Sequence, residues 1–183
     1  VPGLKVGLGE VAHAVAGTPG YALPAGIEPG LEATKNFIVD DLTFVNGTAA
    51  VELEVDPETG KVTVLKYVIV HDCGTMVNPM IVDGQVIGGS VHGIGNSLFE
   101  WMGYDDTAQP ITTNFSEYLL VTAPEIPQIE VGHMESPTPL NPLGVKGAGE
   151  CGVVPAPAAI MSAVEDALSP FGVYIDQTPL WPP

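Results

Sequence analysis

Two runs of alternating residues, joined by a turn sequence, constrain the fold of this chain more than anything else in it. Residues 48–56 read Thr-Ala-Ala-Val-Glu-Leu-Glu-Val-Asp, and apolar and polar side chains alternate from Val51 onward. Residues 61–70 alternate again, as Lys-Val-Thr-Val-Leu-Lys-Tyr-Val-Ile-Val. A period of two marks strands, because successive side chains point to opposite faces. Between the runs lies Asp56-Pro57-Glu58-Thr59-Gly60, with proline early and glycine late, as a tight turn requires. The spacing predicts a β-hairpin. The later half of the second strand is apolar on both faces, so it runs into the core.

A loop over residues 72–79 follows, and Asn78-Pro79 supplies a cap and first turn for a helix reaching about Leu98. That helix contains Gly84, Gly88, Gly89, Gly93 and Gly95. Each interior glycine costs roughly 1 kcal/mol relative to alanine. Something must offset that cost: close approach of another backbone, or contact with a cofactor. Trp101–Tyr104 and Pro110–Thr113 flank a second turn, and Phe115–Thr122 is a short apolar segment. Gln128–Met134 alternates as a strand. Prolines 137, 139 and 142 make Glu135–Leu143 a stiff loop. Val153–Leu168 closes as a helix with Ile160, Val164 and Leu168 on one face. The tail to Leu180-Trp181-Pro182-Pro183 is irregular.

Strands and helices in this order, without regular βαβ alternation, indicate an α+β fold. Residues 1–35 read as a Gly/Pro-rich arm with a short helix around Val6–Val15 and turn signals at Gly17–Gly20 and Glu28–Gly30. Residues 36–183 read as the domain proper. The first residue is valine, so the sequence reads as a processed product or a fragment.

The charge balance narrows the function classes. The chain carries 22 acidic residues against five lysines and no arginine, a net charge of −17. Such a surface repels phosphate backbones and anionic membranes. Solubility is the simplest explanation of the acidity, with a salt-adapted host as the alternative. No apolar run reaches the roughly 18–20 residues of a membrane span, and no basic segment precedes an apolar one as in a secretory signal. Cys73 and Cys151 form no CxxC, which fits a reducing cytoplasm. The four histidines show neither HxH nor HxxxH spacing, so no protein-ligated metal is expected.

Gly147-Ala148-Gly149-Glu150-Cys151-Gly152 matches the G-x-G-x-x-G pattern of dinucleotide sites. Its context does not. A dinucleotide turn follows a buried parallel strand, and here Pro139-Leu140-Asn141-Pro142-Leu143 precedes. A second reading keeps the glycine amides and adds the acid. Free amides before a helix form an anion site, with Lys146 beside it, and Glu150 faces whatever they hold. A neighbouring anion and desolvation both raise a carboxyl pKa, which suits a base working near neutral pH. The alternative is that Glu150 caps the following helix.

Val145-Lys146-Gly147-Ala148-Gly149-Glu150, followed by residues 156–160 (Ala-Pro-Ala-Ala-Ile) and 163–168 (Ala-Val-Glu-Asp-Ala-Leu), resembles the C-terminal signature of the molybdenum hydroxylases. These are the xanthine dehydrogenase, aldehyde oxidase and aerobic carbon monoxide dehydrogenase family, in its molybdopterin-binding large subunit. Asp72-Cys73-Gly74 with Asn78-Pro79, Asp83-Gly84-Gln85, His92-Gly93-Ile94-Gly95 and residues 135–140 (Glu-Ser-Pro-Thr-Pro-Leu) are similar to its other motifs, in the same order. The resemblance implies the C-terminal part of a molybdenum-cofactor-binding domain, with Glu150 as the base beside molybdenum and Lys146, Gly147, Ala148 and Gly149 against the cofactor. It implies no protein ligand to the metal, which the pterin dithiolene holds. It implies a cytosine dinucleotide form of the cofactor, FAD and [2Fe-2S] clusters on partner subunits, and a dimer of heteromers. The small-molecule substrate would be an aldehyde, an N-heterocycle or carbon monoxide, with water as oxygen source. The rest of the large subunit would be needed to complete the site. The rival expectation is a non-catalytic assembly fragment that docks with other subunits and binds no cofactor alone. Cys151 stands where a small residue is expected, as a buried structural thiol or a reactive one.

Overall fold

A computed structural model describes residues 3, 5–16, 23–39 and 41–180. It divides into two compact units, Val1–Ile38 and Val39–Pro183. In the first, α1 spans Leu8–Val15. It starts two residues later than the periodicity suggests, because the Glu10 carboxylate accepts a hydrogen bond from the Gly7 amide at 2.8 Å and fixes the first turn there. The turn expected at Gly17–Gly20 lies outside the described residues, as do residues 181–183 of the tail.

The second unit is α+β. Strand β1 (Asn46–Val55) and strand β2 (Val62–Asp72) form the antiparallel hairpin. The turn closes as its residue types demand. The Asp56 carboxylate accepts from the Glu58 amide at 2.9 Å and the Thr59 hydroxyl at 2.7 Å, and Gly60 takes a positive φ. The register slips once: Glu52 faces Lys66 and Leu53 faces Val64, which leaves Leu65 as a bulged residue. The slip is why Val64 and Tyr67, three positions apart, both point into the core.

Strand β3 (Gln128–His133) pairs with β2 in parallel, giving the order β1-β2-β3. Helix α2 (Pro79–Leu98) and the segment after it make the crossover that a parallel pair requires. The sequence therefore contains one β-α-β unit beside its hairpin. The Asn78 side chain accepts from the Ile81 amide at 3.4 Å and Pro79 opens the helix, as the cap sequence predicts. The second turn closes with a bridge between Tyr104 and Pro110.

Helix α3 spans Ala156–Ala167 and packs on β1 and α2. It begins three residues after the expected start at Val153. The Glu150 carbonyl accepts from the amides of Val153 and Val154, and this tight turn fills the intervening residues. Tyr67, Ile69, Val86, Ile94, Ile160 and Val164 form the centre of the core. The glycines of α2 divide by face. A Cβ on Gly93 would overlap that of Ala156, and one on Gly89 would stand 2.9 Å from the Cα of Gly152, so both let α3 and its approach lie against α2. Gly84 and Gly88 have nothing within 4 Å and face outward. Among the described residues, no helix is long and apolar enough to cross a membrane.

Candidate functional site

Strand β2 ends in a junction that carries the glycine-rich turn. Beyond Asp72 the backbone pairs with residues 144–146. The Lys146 amide donates to the Cys73 carbonyl at 2.7 Å, the Thr75 amide to the Gly144 carbonyl at 3.1 Å, and Gly74 bridges Val145. The approach is so close that a Cβ on Gly74 would overlap the Gly144 carbonyl oxygen, and both glycines take positive φ. Asn141 clamps the same segment: its amide group donates to the Val145 carbonyl at 2.8 Å and its oxygen accepts from the Val145 amide at 3.1 Å.

At the centre of the junction is the buried carboxylate of Asp72. One oxygen accepts from the amides of Gly74 (2.8 Å) and Ser136 (3.0 Å), and the other lies 3.3 Å from the Lys146 ammonium. Only 9% of either side chain is exposed. The Ser136 hydroxyl and amide, with the Gly74 amide and Lys146, hold the Asp72 carboxyl well below the usual carboxylate range. Lys146, expected as a cation beside an anion site, is thus turned inward onto Asp72. The pairing joins a strand end to a distant loop, and nothing in either local sequence announces it.

From this anchor the turn extends outward. Gly147, Gly149 and Glu150 are exposed, and Ala148 is half-buried. No described residue accepts from the amides of Gly147, Ala148 or Gly149. A Cβ at Gly147 or Gly149 would meet nothing within 4 Å, and neither residue has a positive φ. Neither packing among the described residues nor backbone conformation explains these two glycines. Gly152, only three positions on, is the opposite case, buried against α2. The Glu150 side chain has no partner among the described residues. It does not cap α3, whose N-cap is Pro155 with no side-chain bond.

Cys151 is half-buried and its thiol donates to the Ala148 carbonyl at 2.8 Å. Burial, followed by the neighbouring Cys73, pushes its pKa up, so it stays a thiol and braces the turn. Among the described residues, no three His, Cys, Asp or Glu side chains group as a metal site. Free amides, open glycines and an unpartnered carboxylate fit an oxygen-rich organic cofactor that carries its own metal ligands. They do not fit a metal bound by protein side chains.

Comparison with known proteins identifies the family. The chain matches the molybdopterin cofactor-binding domain over residues 4–127. It is 45% identical to the nicotine 6-hydroxylase large subunit of Paenarthrobacter nicotinovorans, over 97% of this chain and 22% of that protein. Quinoline 2-oxidoreductase from Pseudomonas putida 86 superposes with a TM-score of 0.81 at 43% identity, covering 86% of this chain and 20% of that one. A Cu,Mo-containing carbon monoxide dehydrogenase superposes with a TM-score of 0.83 at 31% identity, covering 93% and 21%. The chain spans about a fifth of the length of each. It belongs to the molybdenum hydroxylase family and carries molybdopterin cofactor-binding sequence of the large subunit.

Proposed function

We propose that this chain contributes the base and part of the cofactor cradle to a molybdenum hydroxylase whose remaining large-subunit residues complete the site. The observation that carries the reading is the open turn. Among the described residues nothing gives Gly147 or Gly149 a steric reason to be glycine, neither takes a positive φ, and they stand immediately before an exposed Glu150 with no described partner. The amides of Gly147, Ala148 and Gly149 would hold the pterin cofactor by donating hydrogen bonds to it. The bound molybdenum cofactor supplies a two-electron oxidant for hydroxylation of an electron-poor carbon with oxygen from water. Glu150 would take the proton from the water-derived oxygen as that oxygen bonds to carbon, while the C–H bond breaks and its hydrogen and electron pair pass to the cofactor that serves as oxidant. Residues 36–183 act as the cofactor-binding part and residues 1–35 as an arm.

The substrate class we favour is an N-heteroaromatic ring, since the relatives at 45% and 43% identity are named for nicotine and quinoline. The finer assignments rest on the resemblance: a cytosine dinucleotide form of the cofactor, FAD and [2Fe-2S] partner subunits, a dimer of heteromers, and a cytoplasmic site of action. Glu150→Gln in the complete enzyme tests the reading. Molybdenum and pterin content should stay intact while kcat falls by about 100-fold or more. Turnover at the unaltered rate would overturn it.

A further inference from the structure

The buried pair beneath the turn has a role that the base alone does not explain. Lys146 is the last residue fixed by the β2 junction, and the free amides begin at the next position. Its backbone is tied to Cys73 and its side chain to Asp72, so the direction in which residues 147–150 leave the junction is set at both ends of one residue. Asp72 gathers donors from three separate segments: Gly74 after β2, Ser136 after β3, and Lys146 before the turn. A buried ion pair is a poor device for stability, because its desolvation offsets its attraction. It is a good device for fixing geometry, because each partner has a strong preference for one arrangement.

We infer that Asp72 and Lys146 are positioning residues that aim the Gly147–Glu150 turn at the cofactor through their mutual ion pair. The inference rests on the reading of Glu150 as base. Lys146 then acts through the turn and does not itself touch the cofactor. Misplacement of a reacting group by about 1 Å costs as much as 100-fold in rate.

The test compares Asp72→Asn, Lys146→Met and the double variant in the complete enzyme. Each single variant leaves a buried group unpaired and should lower stability. The double variant removes both charges and should recover much of it. Positioning predicts that the double variant, though stable, keeps molybdenum and pterin at the unaltered stoichiometry and KM within about twofold, while kcat stays about 10- to 100-fold low. It also predicts faster amide hydrogen exchange across residues 145–152 in all three. Recovery of kcat along with stability in the double variant would reduce the pair to scaffold and overturn the inference. Loss of cofactor from Lys146→Met, with Asp72→Asn fully loaded, would overturn it too, since Lys146 would then hold the cofactor directly. Normal turnover in Glu150→Gln would instead defeat the underlying reading. The exchange measurement would still report whether the pair orders the turn.

Discussion

A β-carbon on Gly152 would overlap the carbonyl oxygen of Val86 and stand 2.7 Å from the amide nitrogen of Ser90, inside α2. Both clashing atoms belong to helical backbone and cannot turn aside as a side chain would. Gly152→Ala therefore has to push α3's approach away from α2, at a cost of about 3 kcal/mol or more. Gly88→Ala is the control on the same helix. It meets nothing within 4 Å and should stabilise by up to about 1 kcal/mol. Denaturant midpoints of the two variants check this, and equal midpoints would contradict it.

The acid dependence of stability follows from Asp72. Its carboxyl is held well below the usual carboxylate range, first by the Ser136 hydroxyl. Its native value lies below the unfolded value of about 3.9, so the unfolded state binds the proton first as pH falls. The stability it contributes is complete above about pH 4 and is lost as pH falls below that value toward the depressed native pKa. In Asp72→Asn the carboxyl is gone. The variant should be the less stable protein at pH 7, and the gap should begin to narrow once pH falls below about 4, with only part of it lost by pH 3. A gap of constant size would mean that Asp72 does not titrate this way.

How much of this was readable in the sequence depended on the range of the interaction. The Asn78-Pro79 cap, the Asp56–Gly60 turn and the two strands could be read because each depends on neighbours within a few residues. The parallel pairing of β3 on β2 could not, since a six-residue strand shows its period but not its partner. The Leu65 bulge interrupts the alternation without a glycine or proline to mark it. Glu150 and its glycines stood out as a pattern. The inward turn of Lys146 did not, because its cause is the distant Asp72. The glycines of α2 carried two meanings that only the faces separate: Gly89 and Gly93 serve packing, while Gly84 and Gly88 do not.

His71 offers a second pH test. It is 1% exposed, and neither ring nitrogen has a hydrogen-bond partner among the described residues. Burial, and then the His133 ring 6.0 Å away, lowers its pKa, against the opposing pull of Asp72. A histidine with a lowered native pKa is protonated first in the unfolded chain, so it takes stability away as pH falls through about 6.5. Its share of the slope is at most about 1.4 kcal/mol per pH unit. His71→Leu removes that share without leaving a polar group unpaired. Thermal midpoints at pH 7.5 and pH 5.5 should differ less in the variant than in the unaltered protein, and an undiminished difference would exclude His71 as a contributor.

The open turn separates folding from loading. Gly147→Ala and Gly149→Ala add a methyl group where nothing lies within 4 Å and where φ is not positive, so within this chain they should be nearly neutral in stability. If the turn lies against the cofactor, the same methyl groups stand where it must approach the amides. The expected result is a melting temperature within a few degrees of the unaltered chain, paired with reduced molybdenum and pterin content in the complete enzyme. That combination is opposite to the one expected for Glu150→Gln, which keeps the cofactor and loses turnover. It also differs from Gly152→Ala, which loses stability first. Full cofactor content and normal kcat in both alanine variants would mean that the glycines face solvent in the assembled enzyme, and that the amides of residues 147–149 hold nothing.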